Sequence, residues 1–342
     1  MQPLLLATRR RFCPFLQARP SKIASAFLRR SYCSSVIPDA IAKWKDTAIH
    51  ESTIEHDIIT GSPINLLTNT LNDASLPYLH GNLPAPGDVV PLTYHHVFFP
   101  PRTLERELAS DGYETNFVPP EPYVKRLWGG AEYVCNAENP LRVGDRATLT
   151  TTVDRIDYRN TGLRGDSVFV WLKKRIENGK GWSLEEKRCL CYVNANIPLG
   201  EPRAISMKKQ PDFVTVSHPS PILLFRYSAL TFNAHQIHYD YMYATGKENH
   251  SERLVHGPLS GTLLVSLLRS HLLRQGAMLD TSDIKLFQYK CLLPLYVNQP
   301  LTLCGKEISE GNDTKKCFDV WINNSEGLLA VKGRLDIVIA KD

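Results

Sequence analysis

The sequence predicts an α+β fold, on three observations. A long apolar helix pattern opens at Gly257, with Leu259, Leu263, Leu264, Leu267, Leu268 and Leu272 at helical spacing. Three or four strand patterns follow it to residue 342, and residues 117–195 ahead of it read as extended and strand stretches joined by Gly-centred turns. One long helix followed by several antiparallel strands implies a sheet wrapped on that helix. At 342 residues the chain exceeds one ordinary core, which suggests two domains.

The net charge of +5 is carried by one segment. Residues 1–38 hold seven basic side chains (Arg9, Arg10, Arg11, Arg19, Lys22, Arg29 and Arg30) and no acidic one. The remaining 33 basic and 35 acidic residues leave a charge of −2. An Arg-rich, acid-free stretch with Ser, Ala and scattered Leu and Phe reads as a mitochondrial transit peptide over residues 1–32. "RRSYCSS" (29–35) resembles a matrix-processing site. A secretory signal needs an unbroken apolar core, and Arg9 cuts "LLLA" short. A basic tail that binds nucleic acid is the alternative reading of this segment. The near-neutral remainder carries no footprint for DNA or RNA. No apolar run approaches about 20 residues, so no membrane-spanning helix is expected.

From residue 39 the elements can be placed in order. "DAIAKWKDTAI" and "SPINLLTNTL" are helical patterns, and the Pro/Gly-rich "LPYLHGNLPAPGDVVPL" ends helices and makes turns. "FVPPEPYVKRLWGGAEYVC" is extended and Pro-limited, then strand-like, and "LRVGDRATLTTTVDRIDYR" reads as a turn at Gly144-Asp145 followed by a strand alternating Leu149, Thr151 and Val153. "SVFVWLKKRIEN" and "EEKRCLCYVNA" pair as a hairpin about Gly179-Lys180-Gly181, and "IPLGEPRAISMKKQPDF" is a connector. The expected division is therefore residues 39–205 and 206–342. In the second half, Pro258 sits where proline suits a helix start, and Asn323–Gly327 makes a hairpin turn between the last two strands. No internal repeat is evident. His80-Gly81 echoes His256-Gly257, but Pro84 and Pro86 forbid a comparable helix after it. If the halves are related, the first has lost its central helix.

The eight cysteines include no CxxC pair and suit a reducing compartment. Cys189 and Cys191 alternate on a strand pattern, as buried free thiols do. No nucleotide-phosphate fingerprint of the GxGxxG or GxxxxGK[ST] type occurs, so no nucleotide or redox cofactor is expected.

The chemistry concentrates in "FNAHQIHYD" (232–240) and "VHGPLSGTLL" (255–264). A helix start exposes unpaired N–H groups that stabilise negative charge. Gly257 lets a carbonyl approach its N–H closely, and Pro258 has none to offer. The plain alternative is that Gly-Pro only begins a core helix. His238 can take and return a proton near neutrality, whereas Asn233 can orient a water or hydroxyl but is no base. His235 either assists His238 or shapes the loop. An HxxH half of a metal site is a further reading, but His218, His250 and His256 lack ligand spacing, so no metal is expected.

"FRYSALTFNAHQIHYDYMYA…LVHGPLSGTLL" resembles the hydratase-2 motif of MaoC-like, hot-dog-fold enoyl-thioester hydratases and dehydratases. It is more similar to the mitochondrial 3-hydroxyacyl-thioester dehydratase type 2 branch and to the mesaconyl-C4-CoA hydratases. "LASDGYETNFVPPEPYVKRLWGGAEYVCNAENPLRVGD" resembles the first half of that branch, so the resemblance spans about residues 39–342. It implies a double hot-dog fold, with sheets wrapped on a central helix that is reduced or lost in the N-terminal half. The broader family carries an Asp and a His five residues apart; here they fall on Asn233 and His238, and the type 2 branch resembles this chain in having Asn there and an extra His at 235. The implied roles are His238 as base, Asn233 as orienter and the Gly257 N–H as oxyanion donor.

The reaction so implied is dehydration of 3-hydroxyacyl thioesters to trans-2-enoyl thioesters in mitochondrial type II fatty acid synthesis, in the matrix and without metal or cofactor. The carrier would be acyl carrier protein or CoA. Lys125, Arg126 and Arg253 are candidates to meet an acidic carrier face or a CoA phosphate, and surface solvation explains them equally well. Other readings are hydration of a short branched or dicarboxylic enoyl-CoA, thioester hydrolysis, and a non-catalytic acyl-binding protein. Two hot dogs in one chain allow a monomer, and a homodimer is the alternative. The missing first-half helix suggests room for a long acyl chain.

Overall fold

The computed structural model describes residues 37–160, 165–196, 204–308 and 315–338. The segment 1–32 read as a presequence lies outside them. Ile37–Asp342 form one compact unit.

The first half opens with α1 (Asp39–Ala48), β1 (Ser52–Ile58) and α2 (Gly61–Leu71), followed by β2 (Lys125–Cys135), β3 (Arg146–Asn160), β4 (Asp166–Asn178) and β5 (Gly181–Val193). The second half runs β6 (Phe213–Ser217), α3 (Pro221–Leu230), α4 (Gly257–Arg274), β7 (Ile284–Cys291), β8 (Leu301–Glu307), β9 (Lys315–Asn323) and β10 (Leu329–Val338). Among the described residues the strands form one sheet in the order β1-β3-β4-β5-β2-β7-β10-β9-β8-β6, every neighbouring pair antiparallel. Read inward from either edge, the order is the same in each half, so the chain repeats one strand-helix-strands unit. The two copies meet at a seam where β2 pairs with β7.

The halves differ in the helix each wraps. In the second, α4 buries Leu259, Leu264, Val265, Leu267, Leu268 and Leu272, while Leu263 is only partly buried. In the first, the chain between α2 and β2 holds short 3-10 turns at Tyr94–Val97 and Glu105–Glu107, and no α-helix follows Gly81. Pro84, Pro86, Pro91, Pro100 and Pro101 deny that stretch a continuous ladder of N–H donors. The expected loss of the first helix is therefore found. The second half begins with β6 and α3, whose start Ser220-Pro221-Ile222 matches Ser62-Pro63-Ile64 of α2.

Two strands escape the sequence patterns, β1 and β6. Both are edge strands: β1 turns Ser52, Ile54, His56 and Ile58 outward with Thr53, Glu55 and Asp57 half-buried, and β6 exposes Val214, Thr215 and Val216, so neither builds an apolar stripe on its inward face. Close approach governs the seam itself. Gly130 has φ +135°, and a side chain there would sit 2.1 Å from the Tyr289 carbonyl oxygen.

A buried ion pair fastens α4 to the first half. The Arg269 guanidinium donates to Asp73 at 3.0 Å and to Ser75 at 2.9 Å, just beyond α2. Both ionic side chains are at least 95% buried. Removing one partner of such a pair strands the other charge. Arg269→Ala is expected to lower the free energy of unfolding in urea by about 3–5 kcal/mol, while Arg274→Ala, at the helix end, stays within about 0.5 kcal/mol.

Candidate active site

The helix α3 ends at Thr231, and Phe232 turns the chain with φ +51°. The Asn233 N–H then donates to the Ser228 carbonyl at 2.8 Å, and its Oδ1 accepts the His235 N–H at 3.0 Å. That second bond fixes the amide orientation, leaving the Asn233 NH₂ to face other partners. A 3-10 turn at Gln236–His238 follows, so the two histidines are held edge to face, with ring centroids 5.6 Å apart.

His238 Nδ1 lies 2.8 Å from the Leu254 carbonyl oxygen. A carbonyl only accepts, so Nδ1 carries the hydrogen and Nε2 keeps its lone pair. The ring stacks on His256 at 3.6 Å between centroids and 18° between planes. His256 is fully buried, and its Nε2 meets the Ser228 hydroxyl at 2.8 Å. Desolvation lowers the His238 pKa from 6.5 to about 4, with the Arg126 charge adding to the effect. Desolvation likewise holds His235 and His256 well below 6.5, aided at His235 by His238 and Arg126. All three imidazoles are neutral near pH 7.

Gly257 begins α4, and its N–H has no partner among the described residues. The need for glycine has a second cause besides carbonyl approach: a Cβ at 257 would lie 2.3 Å from the Trp128 ring. Trp128 Nε1–H donates to the Tyr289 hydroxyl at 3.0 Å, and that hydroxyl donates to the Gly257 carbonyl at 3.2 Å. The start of α4 is thus tied to both seam strands, since Trp128 is on β2 and Tyr289 on β7.

Asn233, His235, His238 and Gly257 all line one open cleft of about 2710 Å³. Sequence reasoning therefore brought together residues that the fold also brings together. It missed Trp128, Tyr289, His256 as a stacking partner, and Asp111. Asp111 Oδ2 meets His235 Nε2 at 3.4 Å and Arg126 at 3.3 Å, while its carbonyl accepts the Gln236 N–H at 2.9 Å. The Arg126 guanidinium lies 3.5 Å over the Tyr113 ring. The first-half stretch 110–113 thus braces the histidine loop. Its only signal in the sequence was its place within "LASDGYETN".

The structure corrects two expectations. Arg126 is not a surface group awaiting a carrier: its side chain is 7% exposed and committed to Asp111. Lys125 and Arg253 are also paired, with Glu248 at 2.6 Å and Glu252 at 3.0 Å. The room left by the first-half helix does not form an apolar lane either. His95, His96, Lys174, Glu186 and Arg188 line the cleft on that side. There, among the described residues, His95, His96 and Glu186 bring three potential metal-ligand atoms within 4.8 Å of one another. Arg188 holds both Glu186 oxygens, at 2.7 and 3.1 Å, and His96 meets the Tyr133 hydroxyl at 3.1 Å. A dication would have to displace that guanidinium, so the donor set fits an ion pair better than a metal. His218, His250 and His256 are not part of this group. The expected buried thiols are found: Cys189 and Cys191 are free, and burial raises them to about 12 and about 11.

Residues 93–297 match the family described as hydroxyacyl-thioester dehydratase type 2. A mesaconyl-C(4)-CoA hydratase of Chloroflexus aurantiacus is 33% identical over 226 residues, covering 65% of this chain and 77% of that protein. A Schizosaccharomyces pombe protein named as the mitochondrial hydroxyacyl-thioester dehydratase type 2 is 28% identical over 275 residues, 73% of this chain and 89% of the other. Among solved structures, a MaoC-like dehydratase gives a TM-score of 0.65 at 14% identity, over 86% of this chain and 99% of its own. A Mycobacterium tuberculosis protein described as having a double hotdog fold gives 0.52 at 13% identity, over 86% and 97%. These structural likenesses establish the fold as a double hot dog.

The buried neutral histidines set an acid limit on stability. An unfolded chain protonates them near 6.5, but the folded chain resists until about 4 at His238. Stability is therefore complete above pH 6.5 and falls as pH drops from 6.5 toward 4, by up to about 3 kcal/mol for His238 alone. Thermal melts are expected to show a flat midpoint from pH 8 to 6.5 and a declining one below. A midpoint unchanged down to pH 4.5 would contradict this burial.

Proposed function

The chain belongs to the hydroxyacyl-thioester dehydratase type 2 family of hydro-lyases, and from that premise we propose that His238 and the Gly257 N–H together carry out reversible dehydration of 3-hydroxyacyl thioesters. The observation that carries this reading is their meeting in one cleft, His238 with a free Nε2 and Gly257 with a free N–H.

The thioester carbonyl oxygen accepts from the Gly257 N–H, reinforced by the positive end of α4. The carbonyl acidifies the α-proton, which His238 Nε2 removes while charge builds on that oxygen. The imidazolium then gives this proton to the departing β-hydroxyl, releasing water and the trans-2-enoyl thioester. Asn233, with Oδ1 engaged by the His235 N–H, directs its NH₂ to the hydroxyl or, in hydration, to the water. His235 Nε2 lies 3.4 Å from Asp111 Oδ2 on the segment that braces its loop, which favours a shaping role. One oxyanion donor in such a site is worth about 3–4 kcal/mol of transition-state stabilisation. A depressed His238 pKa suits a base that must be neutral when substrate arrives, and the imidazolium it forms is a strong acid toward the hydroxyl.

Residues 39–205 form the supporting hot dog and 206–342 the acid–base one in this reading. The intrachain β2–β7 seam supports a working unit of one chain. A mitochondrial location is supported by the yeast relative's name, and a matrix location by the Arg-rich start. The carrier is acyl carrier protein or CoA, and the fatty acid synthesis role rests on the resemblance of the 232–264 motif to the type 2 dehydratase branch. A second reading, hydration of a short dicarboxylic enoyl-CoA, is favoured by the Chloroflexus relative and by the charged wall of the cleft. Among the described residues no helix is long and apolar enough to cross a membrane.

Enoyl absorbance with 3-hydroxyacyl and enoyl thioesters of several lengths tests the reading. His238→Ala is expected to lower kcat at least about 100-fold without a matching loss of thermal stability, whereas Cys191→Ala leaves kcat within twofold. Thiol release without enoyl formation would replace this reading with thioester hydrolysis.

A further inference from the structure

The concave face of the first half carries a row of polar side chains where the second half has α4. Register places Thr151 on β3 beside Lys174 on β4, Lys174 beside Glu186 on β5, and Glu186 beside Tyr133 on β2. Two residues along, Arg188 pairs with Ala131, and Ala131 with Tyr289 of β7. Arg188 and Tyr289 are therefore two strand spacings apart, about 10 Å, with only a methyl group between them. Tyr289 is the residue whose hydroxyl meets Gly257, and the Arg188 guanidinium lies 4.8 Å over the Trp128 ring that abuts Gly257.

Two cations on this wall, Lys174 and Arg188, share it with two carboxylates, the buried Glu186 and the half-buried Glu55. Arg188 spends Nε and Nη2 on Glu186, and its Nη1 has no partner among the described residues. Lys174 Nζ makes one hydrogen bond, to the Thr151 hydroxyl at 3.1 Å, and has further donors to offer. Glu55 also lines the wall and its charge acts on Lys174 and Arg188, without a direct ion pair to either among the described residues. Burial lowers the Lys174 pKa to about 8, which leaves the ammonium charged near neutrality. With Glu186 held by Arg188 and Glu55 out of contact with Lys174, both cations keep donors turned to the cleft, where an acceptor anion can meet them.

We propose that Lys174 and Arg188 form a carboxylate subsite at the far end of the acyl cleft, so that the substrate class is a short acyl thioester ending in a second carboxylate. This rests on the thioester lying between His238 and Gly257, and it deepens the second reading above by naming the residues that select the acyl end. Two strand spacings, about 10 Å, separate Arg188 from the Tyr289 that meets Gly257, which suits a short acyl chain and disfavours a long apolar tail that would have to bury against two charges. Carrier phosphates lie at the opposite end of the pantetheine arm, where the substrate enters.

Calorimetric binding of succinyl-CoA and butyryl-CoA to the full-length chain tests the subsite. The two ligands share the carrier and the chain length, and neither bears a double bond or β-hydroxyl to turn over. Succinyl-CoA is expected to bind at least tenfold tighter; Lys174→Met brings it to near the butyryl-CoA value, and Lys174→Arg restores most of the difference. Lys174 is the residue to change, because loss of Arg188 would strand Glu186. Equal binding of the two ligands by the unaltered protein overturns the proposal. So does a Lys174→Met variant that weakens both ligands alike, which would place the ammonium on the carrier phosphate or in the fold. Hydration of enoyl thioesters, measured in parallel, reports separately on His238: turnover without a binding difference sinks only the subsite, and a binding difference without turnover sinks only the acid–base reading.

Discussion

The hydrogen-bond chain from Trp128 Nε1 through the Tyr289 hydroxyl to the Gly257 carbonyl is the constraint on which the rest of the site depends. It ties the first turn of α4 to β2 and β7, the two strands at which the halves join. The indole ring occupies the volume a side chain at 257 would need, so the same contact that fixes the helix start also requires glycine there. An amide held this way can meet a developing oxyanion with little reorganisation, which is where preorganised donors have their effect. The proposed oxyanion position is thus set by both halves, although the helix belongs to the second.

A parallel division of labour governs the proposed base. His238 gets its tautomer from Leu254 and its stacking surface from His256, both in the second half. The loop carrying it is braced from the first half, by Asp111 against His235 and Gln236. Arg126 completes that brace, and its positive charge also keeps His238 neutral. The first hot dog has given up its long helix yet supplies the clamp, the indole wall and a charged recess. Its retention beside the acid–base half follows from those three contributions.

Legibility in the sequence followed the range of the interaction. Asn233, His235, His238 and Gly257 stood out because each acts through its own local segment, a turn or a helix start, and α4 and eight of the ten strands declare themselves by spacing. Edge strands β1 and β6 did not, since the half-buried face of β1 is polar (Thr53, Glu55, Asp57) and β6 exposes Val214 and Val216 along with Thr215. Trp128 and Tyr289, 161 positions apart, meet only because the seam pairs β2 with β7. Arg126 looked like a solvated charge, because no sequence pattern links it to an aspartate 15 residues earlier across a Pro-rich loop. The missing helix was legible from Pro84 and Pro86. The filling of its place by Lys174, Glu186 and Arg188 was not, because "LKKR" and "EEKR" look like solvated strand faces until the register turns them inward.

One imidazole acting twice at one amide-bound thioester carries a stereochemical signature. A single group on one side of the substrate must exchange both the α-proton and the β-oxygen function on that face. Hydration of an enoyl thioester in deuterium oxide, with the product's α and β configurations resolved by proton NMR, measures this directly. The account predicts deuterium and hydroxyl added to the same face. Addition to opposite faces would contradict it, since it would require a second proton-transfer group across the cleft from His238.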